Sequence, residues 1–256
     1  MSTQSILATT LRRLHIPGRP IILTNVYDAA SARAIAGLKG TQALATASYA
    51  VAAAAGFADK DLTLEANLSA VRVITTVAKE YSLPLTVDWQ DGYGSRLEEG
   101  LEKLLDLGVV GINLEDCDGE TQKLYHTEEA VARVKRALAV AEKRGVLDFV
   151  VNARTDVLLK GGLIDEAIAR GKAYLAAGAT TVFVLGGSRV ITKSEVEQLT
   201  QAFNGRLNFG LRIGPGHLTV KELAEIGVAR LSIRPQLQLI GMKAIADEAE
   251  KLLLSR

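Results

Sequence analysis

A (β/α)8 barrel is the fold class this sequence predicts. Eight short apolar runs recur along 256 residues, helical patterns fill the intervals between them, and no Pro/Gly/Ser-rich linker divides the chain. Most of the runs are continuous rather than alternating, as in strands covered by helices on one face and a packed interior on the other. The first spans Ile21 to Val26 and the second Ala43 to Ala47. Leu85 to Trp89, Val109 to Leu114 and Phe149 to Ala153 follow, then Thr181 to Leu185, Arg206 to Leu211 and Arg230 to Ile233.

Helical spacing of apolar residues fills each gap: Ala29 to Leu38, Thr63 to Glu80, Ser95 to Leu107, Thr127 to Arg144, Leu163 to Ala177, Lys193 to Ala202 and Thr219 to Ile226. A closing helix, Leu237 to Leu254, follows the eighth strand, and residues 1–17 form an N-terminal helix in which Ile6, Leu7, Leu11 and Leu14 share a face between Ser2 and His15. The whole chain, 1–256, is expected to be one barrel domain. A doubly wound open sheet is the rival, but the glycine-rich turn that opens its first helix is absent after Ile21 to Val26.

Composition narrows the partners. Hydrophobic residues make up 48% and charged residues 23%, as in ordinary globular chains. The 30 Lys+Arg and 29 Asp+Glu leave a net charge of +1, which argues against a general nucleic-acid or anionic-membrane surface and for a small-molecule partner. The single cysteine, Cys117, allows no internal disulfide, so a reducing, cytoplasmic setting is expected. No segment is apolar enough to span a bilayer. The acid-free start, with Arg12, Arg13 and Arg19, also has the composition of an organelle-targeting segment, against the packed helix above.

In such a barrel the chemistry gathers where the strands end. The exits carry Asn25, Tyr27 and Asp28; Thr46 and Ser48; Asp88, Gln90 and Asp91; and Asn113, Glu115, Asp116 and Cys117. Further round come Asn152, Arg154 and Asp156; Gly186 and Gly187; Asn208 and Arg212; and Arg234. Asp88 and Glu115 end neighbouring strands, so their carboxylates can converge on one hard cation. Mg²⁺ suits them, with Mn²⁺ as the alternative, since it needs only one or two protein carboxylates and keeps several waters. Either acid could instead cap a helix or pair with a lysine. His15, His126 and His217 are scattered without ligand spacing, which argues against a zinc-type site.

These residues carry a resemblance. Val87-Asp88-Trp89-Gln90-Asp91-Gly92-Tyr93-Gly94 resembles the V-D-x-D-x-G-Y-G segment of the isocitrate lyase/phosphoenolpyruvate mutase superfamily. Asn25 to Ala32 is similar to its first strand-to-helix turn, Gly111 to Asp116 to its G-I-x-L-E-D, and Ala153-Arg154-Thr155-Asp156 to its A-R-T-D. Leu207-Asn208 with Gly214-Pro215-Gly216 resembles its seventh-strand exit, so the matches run in order from about residue 21 to about 235.

The resemblance implies that Asp88 binds Mg²⁺ directly while Glu115 and Asp59 hold its water shell. Gln90 replaces the second acid of V-D-x-D, so weaker metal binding or a rearranged water shell is expected; Asp91 is a neighbouring substitute at a different strand phase. The resemblance also places the substrate carboxylate on Thr46-Ala47-Ser48, with Asn208 among the substrate-binding residues, and Arg154 opposite an enolate oxygen. Read alone, Arg154 is equally an ion-pair partner of Asp156 or Glu115. Asp88, Arg154 and Tyr27 are the candidate catalytic residues.

The K-K-C-G-H loop that serves isocitrate and methylisocitrate lyases is missing between Asp116 and His126, as is the gating loop of the mutases. Cys117 stands too close to Glu115 to be the lyase thiol. A reaction that needs no base survives this loss best: loss of CO₂ from an oxaloacetate-like 2-oxo acid into a metal-stabilised enolate. The alternatives are C–C or P–C cleavage of another 2-oxo or 2-hydroxy acid, with Tyr27, Tyr93 or His126 as base, and a silent carboxylate-binding barrel. Specificity is expected from Tyr49, Trp89, Arg212, His217 and Arg234, the two arginines reading a second acid group or standing solvated. The resemblance further implies a tetramer, a dimer of dimers that exchange the helix Leu237 to Leu254.

Overall fold

The computed structural model describes residues 2–255; Met1 and Arg256, the ends of the expected 1–256 span, lie outside the described residues. Its sheet is a parallel barrel. β1 (Ile21–Leu23) pairs with β9 (Arg230–Ser232), while β2 (Asn25–Val26) pairs with β3 (Leu44–Thr46). The remaining strands, β4 (Leu85–Asp88), β5 (Gly111–Glu115), β6 (Val150–Thr155), β7 (Thr181–Val184) and β8 (Leu207–Gly210), follow in chain order. The nine strands correspond to the eight expected, because Thr24 breaks the run Ile21–Val26 and each half bonds to a different neighbour. The break is where the barrel closes.

The helices alternate with the strands: α2 (Ala29–Ala36), α4 (Leu64–Glu80), α5 (Leu97–Leu107), α6 (Thr127–Lys143), α7 (Ile164–Ala176), α8 (Lys193–Ala202) and α9 (Val220–Ile226). α4 and α9 begin one residue later than their patterns suggest because the first polar residue is the cap. Thr63 accepts the Ala66 amide, and Thr219 forms a reciprocal box with Glu222, as Thr192 does with Glu195. α5 starts later still, after a single 3₁₀ turn, Gly94–Arg96.

One helix escapes the sequence pattern. α3 (Ser48–Ala54) follows the expected strand Ala43–Ala47 in an alanine-rich stretch, interrupted by Thr46, Ser48 and Gly56, that shows no helical period, yet alanine is the strongest helix former. α3 begins immediately after β3, and this puts Ser48 at a helix start on the barrel rim.

The core fills the space between strands and helices. Trp89, fully buried, meets the Tyr93 ring edge-on at 5.0 Å. Gly100 of α5 makes this possible, since a Cβ there would fall 2.6 Å from the indole. Trp89 therefore faces the core rather than the barrel mouth, contrary to its expected part in specificity. The N-terminal helix, α1 (Thr3–Arg13), packs as expected: Ala8 and Leu11 are buried, and Gln4 donates to the Leu105 and Val109 carbonyls at 3.0 Å, just before β5. It covers the end of the barrel opposite the strand exits. The last helix, α10 (Gln236–Leu254), is 19 residues long yet has Gln238 as its one buried residue among those described. No helix is long and apolar enough to cross a membrane among the described residues.

Candidate active site

The strand exits surround a cavity of about 280 Å³. Asp88, the last residue of β4, is held on both carboxylate oxygens: Oδ2 accepts the Ser48 amide and Oδ1 accepts Asn113 Nδ2, each at 2.9 Å. Its own amide donates to Thr46 Oγ1 at 2.8 Å. Asn113 is fixed in turn by Asn152, and Asn152 by Thr181, through bonds of 2.6 and 2.7 Å. A row of polar side chains thus crosses β5, β6 and β7 beneath the cavity and orients one carboxylate at its edge.

Asp59, on a single turn before α4, lines the same cavity. Gln90 donates to its carbonyl at 2.8 Å and to its Oδ1 at 3.3 Å. Burial raises the Asp59 carboxyl above the usual carboxylate range, the Asp88 charge adds to this, and Ser48, Arg154 and Gln90 oppose it. Gln90, expected among the metal residues, instead clamps Asp59. Its backbone is left-handed, φ +48°, which turns its side chain across the loop.

Arg154 lines the opposite wall and is locked from behind. Nε and Nη2 donate to the two Asp156 oxygens at 2.6 and 2.7 Å, and Nη1 meets Glu115 Oε2 at 2.7 Å. Both ion-pair readings of Arg154 therefore hold together. Three of its five N–H groups are used, which leaves two for the cavity. Burial works against the charged guanidinium, but Asp156 and Glu115 outweigh it and hold it protonated. Glu115 does not line the cavity wall, because strand register sets it beside Arg154 and spends its carboxylate there. Burial pushes its carboxyl well up, against the pull of Arg154.

The other expected residues divide. Thr46, Ala47 and Ser48 line the cavity, as do Tyr49 and Arg234. Asn208 lies just behind the wall, accepting the Ser232 hydroxyl at 3.2 Å. Tyr27 faces away, beside Val51, Ala66 and Ala70, because its amide donates to Ser31 in the turn that opens α2. Cys117, Tyr93 and His126 do not line the cavity either. Burial raises the thiol of Cys117 and the phenol of Tyr93, and His126 precedes α6. Asp91 accepts the amides of Tyr93 and Gly94 and the Tyr125 hydroxyl, which fixes the loop rather than serving the cavity. Arg212 and His217 line a second cavity of about 480 Å³ between the ends of β7 and β8, which shares Phe183, Leu185 and Arg234 with the first.

Arg230 is the residue the sequence reading passed over. It opens β9, is 3% exposed, lines the cavity, and leaves Nε and Nη1 without partners. Its one signal is a charge opening the strand Arg230-Leu231-Ser232 on the face it shares with Ser232.

The donor set suits a hard divalent cation. Among the described residues no three His, Cys, Asp or Glu side chains converge as a cage. Two carboxylates, Asp88 and Asp59, share the cavity, with no imidazole or thiol among its lining residues. This fits Mg²⁺, which takes few protein oxygens and retains water, and does not fit zinc.

The chain is similar to known proteins over most of its length. Residues 11–253 match the sequence profile of the family described as phosphoenolpyruvate phosphomutase. An uncharacterised protein of Mycobacterium tuberculosis is 31% identical over 239 residues, 92% of this chain and 86% of its own. An oxaloacetate decarboxylase of Paraburkholderia xenovorans is 34% identical over 181 residues, 65% of this chain and 56% of its own. Among solved structures, a Burkholderia cenocepacia J2315 protein provisionally assigned as a phosphonomutase superposes with a TM-score of 0.87 at 36% identity, covering 97% of this chain and 99% of its own. The chain belongs to the isocitrate lyase/phosphoenolpyruvate mutase superfamily.

Proposed function

We propose that the protein is a Mg²⁺-dependent lyase that decarboxylates a small, oxaloacetate-like 2-oxo acid through an enolate. The supporting observation is one cavity in which the carboxylates of Asp88 and Asp59 face a doubly anchored Arg154 while no thiol or imidazole lines the wall. Mg²⁺, or Mn²⁺ in its place, would be held by Asp88 and Asp59 with Glu115 behind them, and supplies Lewis-acid polarisation of the substrate's carboxylate and keto oxygens. Thr46, Ala47 and Ser48 would seat the substrate carboxylate. The two unused N–H groups of Arg154 would stabilise negative charge on the keto oxygen as the bond from C3 to the leaving carboxylate breaks and its electron pair moves toward that oxygen. CO₂ departs and C3 takes a proton from water. No residue has to remove a proton first, which matches the residues present.

Proton NMR of the protein with oxaloacetate, phosphonopyruvate and a panel of 2-hydroxy acids, with Mg²⁺ and with excess chelator, tests this. Metal-dependent pyruvate from oxaloacetate is expected. Cleavage of another member in its place would establish the C–C or P–C alternative, and no product from the folded, metal-loaded protein would leave the silent carboxylate-binding barrel.

We also propose the tetramer of helix-exchanged dimers for this chain. The support is α10, which exposes Leu239, Ile240, Met242 and Ile245 on one protomer.

A further inference from the structure

The cavity holds more positive charge than the proposed enolate chemistry uses. Arg154 is balanced by Glu115 and Asp156, but Arg230 and Arg234 line the same cavity and neither forms an ion pair among the described residues. Arg230 is buried with two guanidinium nitrogens unpartnered, and Arg234 leaves a buried Nε unpartnered. An unpaired buried guanidinium is costly, and such groups mark sites completed by a ligand.

Backbone geometry sets both on the wall that β9 and its exit give the cavity. Arg230 and Ser232 fall on one face by the two-residue period of β9, Arg234 stands in the turn two residues beyond, and all three line the cavity. Arg234 adopts φ +61°, a left-handed conformation that costs a side-chain-bearing residue about 1 kcal/mol. Its arm runs back over Gly210, where an added Cβ would fall 3.2 Å from Nε. Gly210, on β8, lies across from Ser232, so the Arg234 arm reaches sideways from the end of β9 and stands where the two cavities meet. A strained, half-buried Arg234 and a buried, unpaired Arg230 thus line one cavity.

We infer that Arg230 and Arg234 read a second acid group of the substrate, one that is retained through the reaction. This rests on the 2-oxo acid reading above and deepens it. A cation that grips the departing carboxylate would stabilise it before reaction and lose that hold as neutral CO₂ forms, so gripping that group would raise the barrier. The acid held by β9 is therefore a further one, and the substrate class is a 2-oxo acid with a labile carboxylate on C3 and another acid on its tail.

The test is equilibrium calorimetry, with Mg²⁺ present, of two matched pairs that carry no labile group: 2-oxopentanoate with 2-oxoglutarate, and 2-oxohexanoate with 2-oxoadipate. The diacid of at least one pair is expected to bind about tenfold or more tightly, a difference of about 1.4 kcal/mol. Arg234→Gln and Arg230→Gln should each reduce that preference to under about threefold while monoacid affinity holds, as expected of a lost charge-assisted contact. Arg212→Gln should preserve it, since that guanidinium already donates to the Gly187 carbonyl at 2.7 Å. Should Arg230→Gln fail to fold, Arg234→Gln carries the same test alone. Equal binding within both pairs, or a preference that survives Arg234→Gln, would overturn the inference and leave the 2-oxo acid reading standing. Failure of the monoacids, the diacids and oxalate alike to bind would overturn that reading and this one with it.

Discussion

The Ser48 amide donates to Asp88 Oδ2 at 2.9 Å, joining the start of α3 to the end of β4. With Asn113 on the other oxygen, the carboxylate is oriented before any ligand arrives. Asp88→Asn can still accept the Ser48 amide but turns an NH2 onto Asn113 Nδ2, so it should fold with a small loss of stability yet lose more than about 100-fold in Mg²⁺ affinity, beyond the usual cost of losing an outer partner. Isothermal titration with Mg²⁺ alone checks this. Unchanged affinity would remove Asp88 from the metal site.

Gln90 acts one step further out. Because its amide clamps Asp59 at 2.8 Å, Gln90→Ala should weaken Mg²⁺ binding by about 10-fold while leaving thermal stability nearly unaltered. Gln90→Glu, which replaces the donor with a charge, should not restore the clamp. Titration of both variants separates positioning from a general charge effect, because a charge effect alone would make the glutamate variant bind more tightly than the parent.

Arg154 separates catalysis from stability. Arg154→Lys keeps a cation near Glu115 and Asp156 but loses the fork, so turnover of whichever 2-oxo acid proves active should fall about 10²–10³-fold with the protein still folded. Arg154→Met leaves two buried carboxylates without their partner and should cost about 3–5 kcal/mol of stability. Urea unfolding alongside initial rates reads both effects, and full activity in the lysine variant would remove Arg154 from the transition state.

The sequence displayed the barrel because alternating apolar runs and capped helices are local signals. Asp88, Thr46, Ser48 and Arg154 were legible for a related reason, since strand exits in this fold share one mouth. What stayed hidden depends on partners far apart in the chain. The spending of Glu115 on Arg154 follows from β5–β6 register, and the outward turn of Tyr27 from the Ser31 hydroxyl. Arg230 was hidden because a charge beginning a strand looks like a solvated end, and only barrel closure onto β1 puts it inside.

His15 gives the fold a pH dependence. It lies after α1 with Nδ1 bonded to the Leu11 carbonyl at 2.8 Å and Nε2 shut from solvent without a partner. Burial, then the charge of Arg230, pushes its pKa down to about 3. Since an unfolded histidine titrates near ~6.5, the unfolded chain takes up the proton first, and this contribution to stability is intact above ~6.5 and lost as pH falls toward about 3. The slope is at most about 1.4 kcal/mol per pH unit. Urea unfolding at neutral and mildly acidic pH, compared with His15→Asn, isolates it, because the raised carboxyls of Asp59 and Glu115 act in the opposite sense and are common to both proteins. Identical pH profiles would show that His15 is protonated freely in the fold.

The last prediction concerns α10. Leu239, Ile240, Met242 and Ile245 are each about half exposed or more, and further on Leu252, Leu253 and Leu254 are more so, an apolar extent that a lone surface helix does not carry. Gln238 meanwhile donates to the Ala50 carbonyl at 2.8 Å, which ties the root of α10 to α3 beside Ser48. Burial of this face by a second copy would steady the helix that begins at Ser48, so assembly and ligand affinity should be coupled. Ile240→Asp with Ile245→Asp should shift the protein from a tetramer to a smaller species in light scattering and weaken oxalate binding in the presence of Mg²⁺ several-fold. A parent protein that is already monomeric, or a monomeric variant that binds oxalate as tightly as the parent, would break that link.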